Sequence, residues 1–95
     1  MSAPRELKGV GINVFITNFE SFTKLKTKSN ITEFCINNNI SDIAGARIRG
    51  GYAEQILNNP ELLKKCLNYI AYQSKKINNS IKQRAAHILN SLEKQ

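Results

Sequence analysis

The residues best suited to bind another molecule lie in the last third of the chain, where Leu62–Leu92 carries many basic side chains and no acidic one. On one continuous helix, Lys64, Tyr72 and Lys75 would fall on the same side, opposite the apolar face. Such a stripe can neutralise successive phosphates, and a tyrosine within it could hydrogen-bond a phosphate or stack on an unpaired base. A solvated helix face is the alternative, but solvated faces usually mix both charges. The candidate phosphate-binding residues are Lys64, Lys65, Tyr72, Lys75, Lys76, Lys82 and Arg84.

Arg47 and Arg49 could add contacts to phosphate or to guanine, because a guanidinium group is a planar fork of donors. They would close the second helix of a helix-turn-helix outline that spans Asn30–Gly51. In that interpretation the second helix enters the major groove, and the buried positions are Phe34, Cys35, Ile40 and Ile48. Gly45, where a branched aliphatic is usual, and Asp42, which would face phosphates, favour a plain helical hairpin instead.

No set of residues is spaced for catalysis or for metal binding. His87 is the single histidine, Asp42 is the single aspartate, and the glutamates are dispersed without the pairing that acid–base chemistry needs. Cys35 and Cys66 each lie inside an apolar helical pattern rather than in a ligand spacing, which favours two buried thiols, with a disulfide between them as the alternative. The sequence therefore predicts a non-enzymatic protein without a cofactor or a metal site.

The elements that would position these residues are indicated by helix-capping signals. A capping box at Asn30–Glu33 predicts a helix from Ile31 to Asn38, which an asparagine-rich corner ends. Ser41 is expected to cap the next helix, and Gly50-Gly51 to terminate it. Gly45 inside that helix costs about 1 kcal/mol relative to alanine, which a close helix crossing there could offset.

Two longer helices are expected to form a hairpin at the carboxyl end. The first begins at Pro60 after the cap Asn59 and should reach about Lys76. The second opens with a capping box at Ser80–Gln83 and runs to residue 94. Apolar residues recur at helical spacing in both, at positions 62, 63, 66, 67 and 70 and at positions 81, 85, 88, 89 and 92. These facing stripes should supply most of the core.

The amino-terminal part of the chain is the least regular. Residues 1–11 contain Pro4, Gly9 and Gly11 without a period, which predicts a flexible arm. Ile12–Lys26 has alternating residues that suit a strand, but Phe15, Phe19 and Phe22 continue a helical stripe. A helix is therefore expected there.

The totals restrict the protein to one small basic domain. It has 95 residues, 41% of them hydrophobic, and a net charge of +7. We expect an all-α domain of four or five short helices over residues 12–95. With no secretory signal pattern and no apolar run of membrane-spanning length, a cytoplasmic location is expected, or a nuclear one in a eukaryote.

Two functions from different classes fit this composition. The first is a small regulatory or accessory nucleic-acid-binding protein, acting on DNA more than on RNA, as a monomer or a homodimer. The second is a non-catalytic helical interaction module, such as an immunity protein, adaptor or host-directed factor, that binds an acidic protein.

Overall fold

Residues 3–94, which the computed structural model describes, fold into seven α-helices and one π-helical turn. The helices are α1 (Arg5–Val10), α2 (Ile12–Thr17), α3 (Phe19–Leu25), α4 (Lys28–Asn37), α5 (Ile43–Leu57), α6 (Pro60–Asn68) and α7 (Asn79–Glu93), with the π turn at Tyr69–Gln73. This part of the chain contains no strand. The all-α prediction is confirmed, and the helical interpretation of Ile12–Lys26 is right, although the segment forms two short helices.

Helix α5 lies at the centre of the fold. It packs most extensively on α4 and also contacts α1 and α6, whereas α7 packs on α6, the π turn and α2. Its inward face is made of small residues, Ala46, Gly50 and Ala53, followed by Ile56, all of them buried. Small side chains let neighbouring helices approach closely, and this explains how α4 and α1 can both pack against α5.

The segment predicted to be a flexible arm is part of the packed domain where the structure describes it. Residues 5–10 form α1, whose Leu7 and Val10 are fully buried in the core. Gly9 lies against the ring of Tyr52 in α5, where any added side chain would meet that ring. The glycines that suggested flexibility thus permit α1 to dock and the chain to turn, since Gly11 has a φ of 94°. Residues 1 and 2 lie outside the described part.

The start of α4 differs from the predicted one by one helical turn. Thr27 is the cap, and its side-chain oxygen accepts a hydrogen bond from the Asn30 backbone N–H at 3.2 Å. A second cap comes from α5, since the Glu54 carboxylate accepts from the Lys28 N–H at 2.8 Å. The expected capping box at Asn30–Glu33 is therefore wrong. The asparagine corner is confirmed, because Asn38 ends α4 and Asn39 adopts a φ of 55°.

Helix α5 begins one residue later than predicted and continues far beyond its predicted end. Asp42, not Ser41, is the cap, and its carboxylate accepts from the Gly45 N–H at 2.8 Å. The helix runs through Gly50 and Gly51 to Leu57, so the predicted termination at this glycine pair is wrong. The close crossing expected at Gly45 occurs instead at Gly50, where an added Cβ would lie 2.9 Å from the Lys28 carbonyl oxygen of α4.

The carboxyl-terminal hairpin forms as expected, with one interruption. Asn59 caps α6 ahead of Pro60, as predicted, through a 3.2 Å bond from the Leu62 N–H. The helix then widens into the π turn, closed by a 2.9 Å bond from the Ser74 N–H to the Tyr69 carbonyl, and does not reach Lys76 as an α-helix. Asn78, not Ser80, caps α7. Leu63, Cys66, Leu67, Ile70, Ala85 and Leu89, all from the two predicted apolar stripes, are buried. They are six of the sixteen buried apolar residues in the described part of the chain, so the expectation that these stripes supply most of the core is wrong, because the preceding helices supply the other ten.

Candidate functional site

The lysines of the acid-free segment lie on consecutive parts of the hairpin. Lys64 and Lys65 are exposed on α6, and Lys75 and Lys76 are exposed in the connection between the π turn and α7. The structure has two ion pairs within residues 3–94, and neither involves a lysine. These four side chains consequently present their charge to solvent without a carboxylate partner.

The π turn changes how these residues are arranged. A π-helix has more residues per turn than an α-helix, so positions after Tyr69 no longer follow the 100° spacing assumed for a single stripe. Tyr72 lies inside this turn and is 64% exposed, more than any other large hydrophobic residue within residues 3–94. Lys75 and Lys76 come after the turn has ended. The predicted straight stripe is therefore replaced by two lysine pairs with an exposed tyrosine between them in sequence.

Two basic residues of the hairpin are less available than the sequence indicated. Arg84 reaches across to the amino-terminal helices, where its Nε donates to the Ile16 carbonyl at 3.2 Å and its guanidinium lies 3.6 Å from the Glu20 carboxylate. Lys82 is half-buried. Arg84 thus connects α7 to α2 and α3, and part of its charge is balanced by Glu20.

Arg49 is a structural residue. Its Nε donates to the Ser41 hydroxyl at 2.6 Å, and its Nη1 donates to the Val10 carbonyl at the end of α1. The guanidinium group therefore connects α5, the α4–α5 corner and α1. A side chain held from both sides in this way is not free to bind phosphate or a base.

Arg47 lies away from the hairpin lysines, in a groove between α4 and α5. The groove has a volume of about 750 Å³, and it is lined by Lys28, Ser29, Thr32, Glu33, Ile36, Asn37, Ile43 and Arg47. A smaller adjoining groove of about 250 Å³ is lined by Lys28, Arg47, Ile48, Gly51, Tyr52 and Gln55. No residue of α6, the π turn or α7 lines either groove. The predicted basic residues thus belong to two separate surfaces.

The apolar part of this α4–α5 surface was missed in the sequence. Ile36, Ile43 and Ile48 are 36%, 58% and 55% exposed, although apolar residues at helical spacing are usually taken as core. The expected burial of Ile48 is wrong, whereas Cys35 is buried as expected and Phe34 and Ile40 are half-buried. Of the residues that the helix-turn-helix interpretation names, Ile48 is exposed where burial was expected, and Arg49 is half-buried while Arg47 is exposed.

His87 is exposed on α7, where it lines a shallow groove with Arg84, Phe19 and Glu20. Nowhere in residues 3–94 do three His, Cys, Asp or Glu side chains gather so that they could hold a metal ion. None of the helices in the same part of the chain is long and apolar enough to cross a membrane.

Both cysteines are free and buried, as predicted. Burial raises the pKa of the Cys66 thiol to about 12, with Glu6 adding to the rise and Lys65 opposing it. Burial likewise raises the pKa of Cys35, against the opposing charge of Arg49. Since the thiolate is the reactive form, both side chains should be chemically inert in the folded protein.

This inertness gives a direct test of the fold. At pH 8 a disulfide reagent such as Ellman's reagent should label Cys66 at least about a hundredfold more slowly in the native protein than in guanidinium chloride, because burial shields the sulfur and a pKa of about 12 depletes the thiolate. Absorbance of the released thiol measures the rate. A Cys35→Ala variant isolates the Cys66 signal. Rapid labelling of the native protein would contradict the burial of Cys66 in the core.

Comparison of the chain with protein-family models, with curated proteins and with solved structures finds no match. The molecule offers two candidate binding surfaces, the lysines of the hairpin and the groove between α4 and α5.

Proposed function

We propose that the protein is a small non-catalytic nucleic-acid-binding protein with a regulatory or accessory role, which holds backbone phosphates through the α6–α7 hairpin. The residues assigned to this role are Lys64, Lys65, Tyr72, Lys75 and Lys76. The observation that carries the proposal is that these four lysines are exposed in a segment without a single acidic residue. Lysines that form no ion pair with a carboxylate are free to attract the phosphate backbone, and their binding releases condensed counterions.

The arrangement favours duplex DNA over single strands. Proteins that bind single-stranded nucleic acid stack the bases on several exposed aromatic side chains. The hairpin has one exposed tyrosine, Tyr72, while Tyr69 is half-buried. Phosphate contacts from lysines carry no sequence information by themselves. We therefore expect binding that depends strongly on salt and weakly on sequence.

The test is a titration of fluorescent duplex DNA, single-stranded DNA and single-stranded RNA, followed by anisotropy over a series of salt concentrations. If all four lysines contact phosphates, the logarithm of the duplex binding constant should fall with the logarithm of salt with a slope of about −3 to −4. Replacing Lys64 and Lys65 by glutamine should make that slope less steep by about two units and weaken binding to all sequences alike.

A charge-matched control separates a specific surface from general attraction. Lys24 and Lys26 are also exposed, at the end of α3, and the variant Lys24→Gln/Lys26→Gln removes the same two charges elsewhere. We expect it to bind nearly as well as the unchanged protein. Equal loss in both double variants, or no binding to any of the three nucleic acids at low salt, would refute the assignment of the hairpin.

A further inference from the structure

The groove between α4 and α5 has features that phosphate binding does not use. Its walls carry the exposed isoleucines Ile36 and Ile43, and Ile48 lines the smaller groove next to it. Exposed apolar side chains gathered in one concave surface are typical of sites that bind another protein. Hydrophobic side chains of this kind add nothing to the affinity for a phosphate backbone, so this surface requires a different partner.

Cations lie at the middle of this apolar surface. Lys28 and Arg47 line both the larger and the smaller groove, so they stand where the two meet. The Lys28 side chain lies across Gly51 of α5, so that a Cβ atom added at Gly51 would be 3.6 Å from the Lys28 Cε. Glu33 is the single acidic residue that lines either groove. An occupant should therefore carry carboxylates at its centre and apolar side chains on both sides of them.

The helical walls of the groove restrict the backbone of the occupant. Both walls are α-helices, whose backbone N–H and C=O groups are paired within the helix. An extended peptide would find no main-chain partners there, in contrast to a peptide that adds to a sheet edge. A helix brings its own backbone hydrogen bonds and needs nothing from the walls except side-chain contacts.

The length of the groove fits a short helix. Along α5 the lining residues run from Ile43 to Gln55, a distance of about 18 Å at 1.5 Å per residue. That corresponds to about twelve residues of a partner helix. Ile43 and Arg47 lie one turn apart on α5, so anchors at positions i and i+4 of such a helix would reach Ile43 and the Arg47–Lys28 pair, and Ile48 borders the adjoining smaller groove.

We propose that this groove binds an acidic amphipathic α-helix of another protein. The apolar residues of the partner contact Ile36, Ile43 and Ile48, and its central carboxylates pair with Lys28 and Arg47. A second copy of the chain is a poor occupant, because a symmetric contact would bring Lys28 and Arg47 against their own equivalents. A lipid surface is flat and does not enter a concave groove. The net charge of +7 would also speed the approach of an acidic partner.

The proposal is tested by selecting from a displayed library of helical peptides of about fourteen residues against the full chain. Enriched peptides should share apolar residues at helical spacing with Glu or Asp between them. In anisotropy titrations with the best enriched peptide, Ile43→Asp and Ile48→Asp should each weaken binding at least about tenfold. Because both isoleucines are more than half exposed, neither variant removes a core contact, and circular dichroism checks that each remains folded.

Charge reversal distinguishes specific binding in the groove from nonspecific association. Arg47→Glu should weaken binding of the acidic peptide about tenfold. A peptide with lysine in place of its central glutamate should bind this variant with most of the lost affinity restored. Lys24→Glu in α3 is the control and should leave peptide binding within about twofold, since the exposed Lys24 lines neither groove.

Several outcomes would overturn the proposal. These are enriched peptides without acidic residues, equal binding by the Ile43→Asp variant, and competition of the peptide by duplex DNA. If the protein bound phosphatidylserine vesicles and Ile43→Asp abolished that binding, the surface would be reassigned to lipid. If the protein formed a concentration-dependent dimer and Ile48→Asp abolished it, the surface would be reassigned to self-association. Because the hairpin lysines are untouched, failure here leaves the nucleic-acid assignment standing.

Discussion

Replacing Gly50 by alanine should destabilise the protein by about 2 kcal/mol. The new methyl group would lie 2.9 Å from the Lys28 carbonyl oxygen and 3.1 Å from the Thr32 backbone nitrogen, both of which belong to α4. Backbone atoms of a helix cannot move aside as a flexible side chain can, so α4 and α5 would have to separate along their whole contact. The gain in helix propensity from glycine to alanine, about 1 kcal/mol, offsets only part of this cost.

The neighbouring glycine is a matched control. An alanine Cβ at Gly51 would meet only the Lys28 side chain, at 3.6 to 4.0 Å, which is ordinary contact with a flexible chain. Gly51→Ala should therefore stabilise α5 by about 0.5 kcal/mol. Urea unfolding followed by circular dichroism measures both variants. If Gly50→Ala were as stable as Gly51→Ala, the crossing of α4 and α5 at Gly50 would be refuted.

This glycine pair also explains a limit of sequence-based prediction. Glycine at the end of an apolar pattern often terminates a helix, which is why Gly50-Gly51 predicts an end there. Glycine inside a helix can instead permit a neighbouring helix to approach, but that use depends on Thr32 and Lys28, which lie well before it in the chain. The Asn59–Pro60 start is confirmed because proline fixes the first helical position, whereas the predicted caps Ser41 and Ser80 each have an Asp or Asn nearby that caps the helix instead.

The candidate sites likewise divide into residues whose surroundings are local in sequence and residues whose partners come from distant helices. Lys64, Lys65, Lys75 and Lys76 are exposed as expected, whereas Lys82 is half-buried. Arg84 and Arg49 were both candidates for phosphate contacts, but their partners, the Ile16 carbonyl and the Val10 carbonyl, come from distant helices. The groove was missed because Ile43 and Ile48 have the composition of core residues. Only the packing of the other helices determines which isoleucines remain uncovered.

Arg49→Met should destabilise the protein by about 2 to 3 kcal/mol. The substitution keeps much of the aliphatic length but removes the charged donors that reach the Ser41 hydroxyl and the Val10 carbonyl. Hydrogen bonds to charged groups are worth about 1.5 to 3 kcal/mol, and the half-buried Arg49 also leaves the carbonyl at the end of α1 without this donor. Because Val10 belongs to α1, the loss should loosen the docking of α1 on α5.

Arg47→Met is the matched control for this effect, because it makes the same substitution two positions earlier in α5. The Arg47 side chain is exposed and forms no hydrogen bond or ion pair within residues 3–94. Its stability should change by less than about 0.5 kcal/mol. Hydrogen exchange adds a local readout, since Arg49→Met should speed exchange of the amides of α1 more than those of α6. Equal stability of the two methionine variants would show that α1 is held by Leu7 and Val10 without help from Arg49. A loss of stability confined to Arg49→Met would establish that this arginine, which the sequence suggested as a nucleic-acid contact, holds the amino-terminal helix in place.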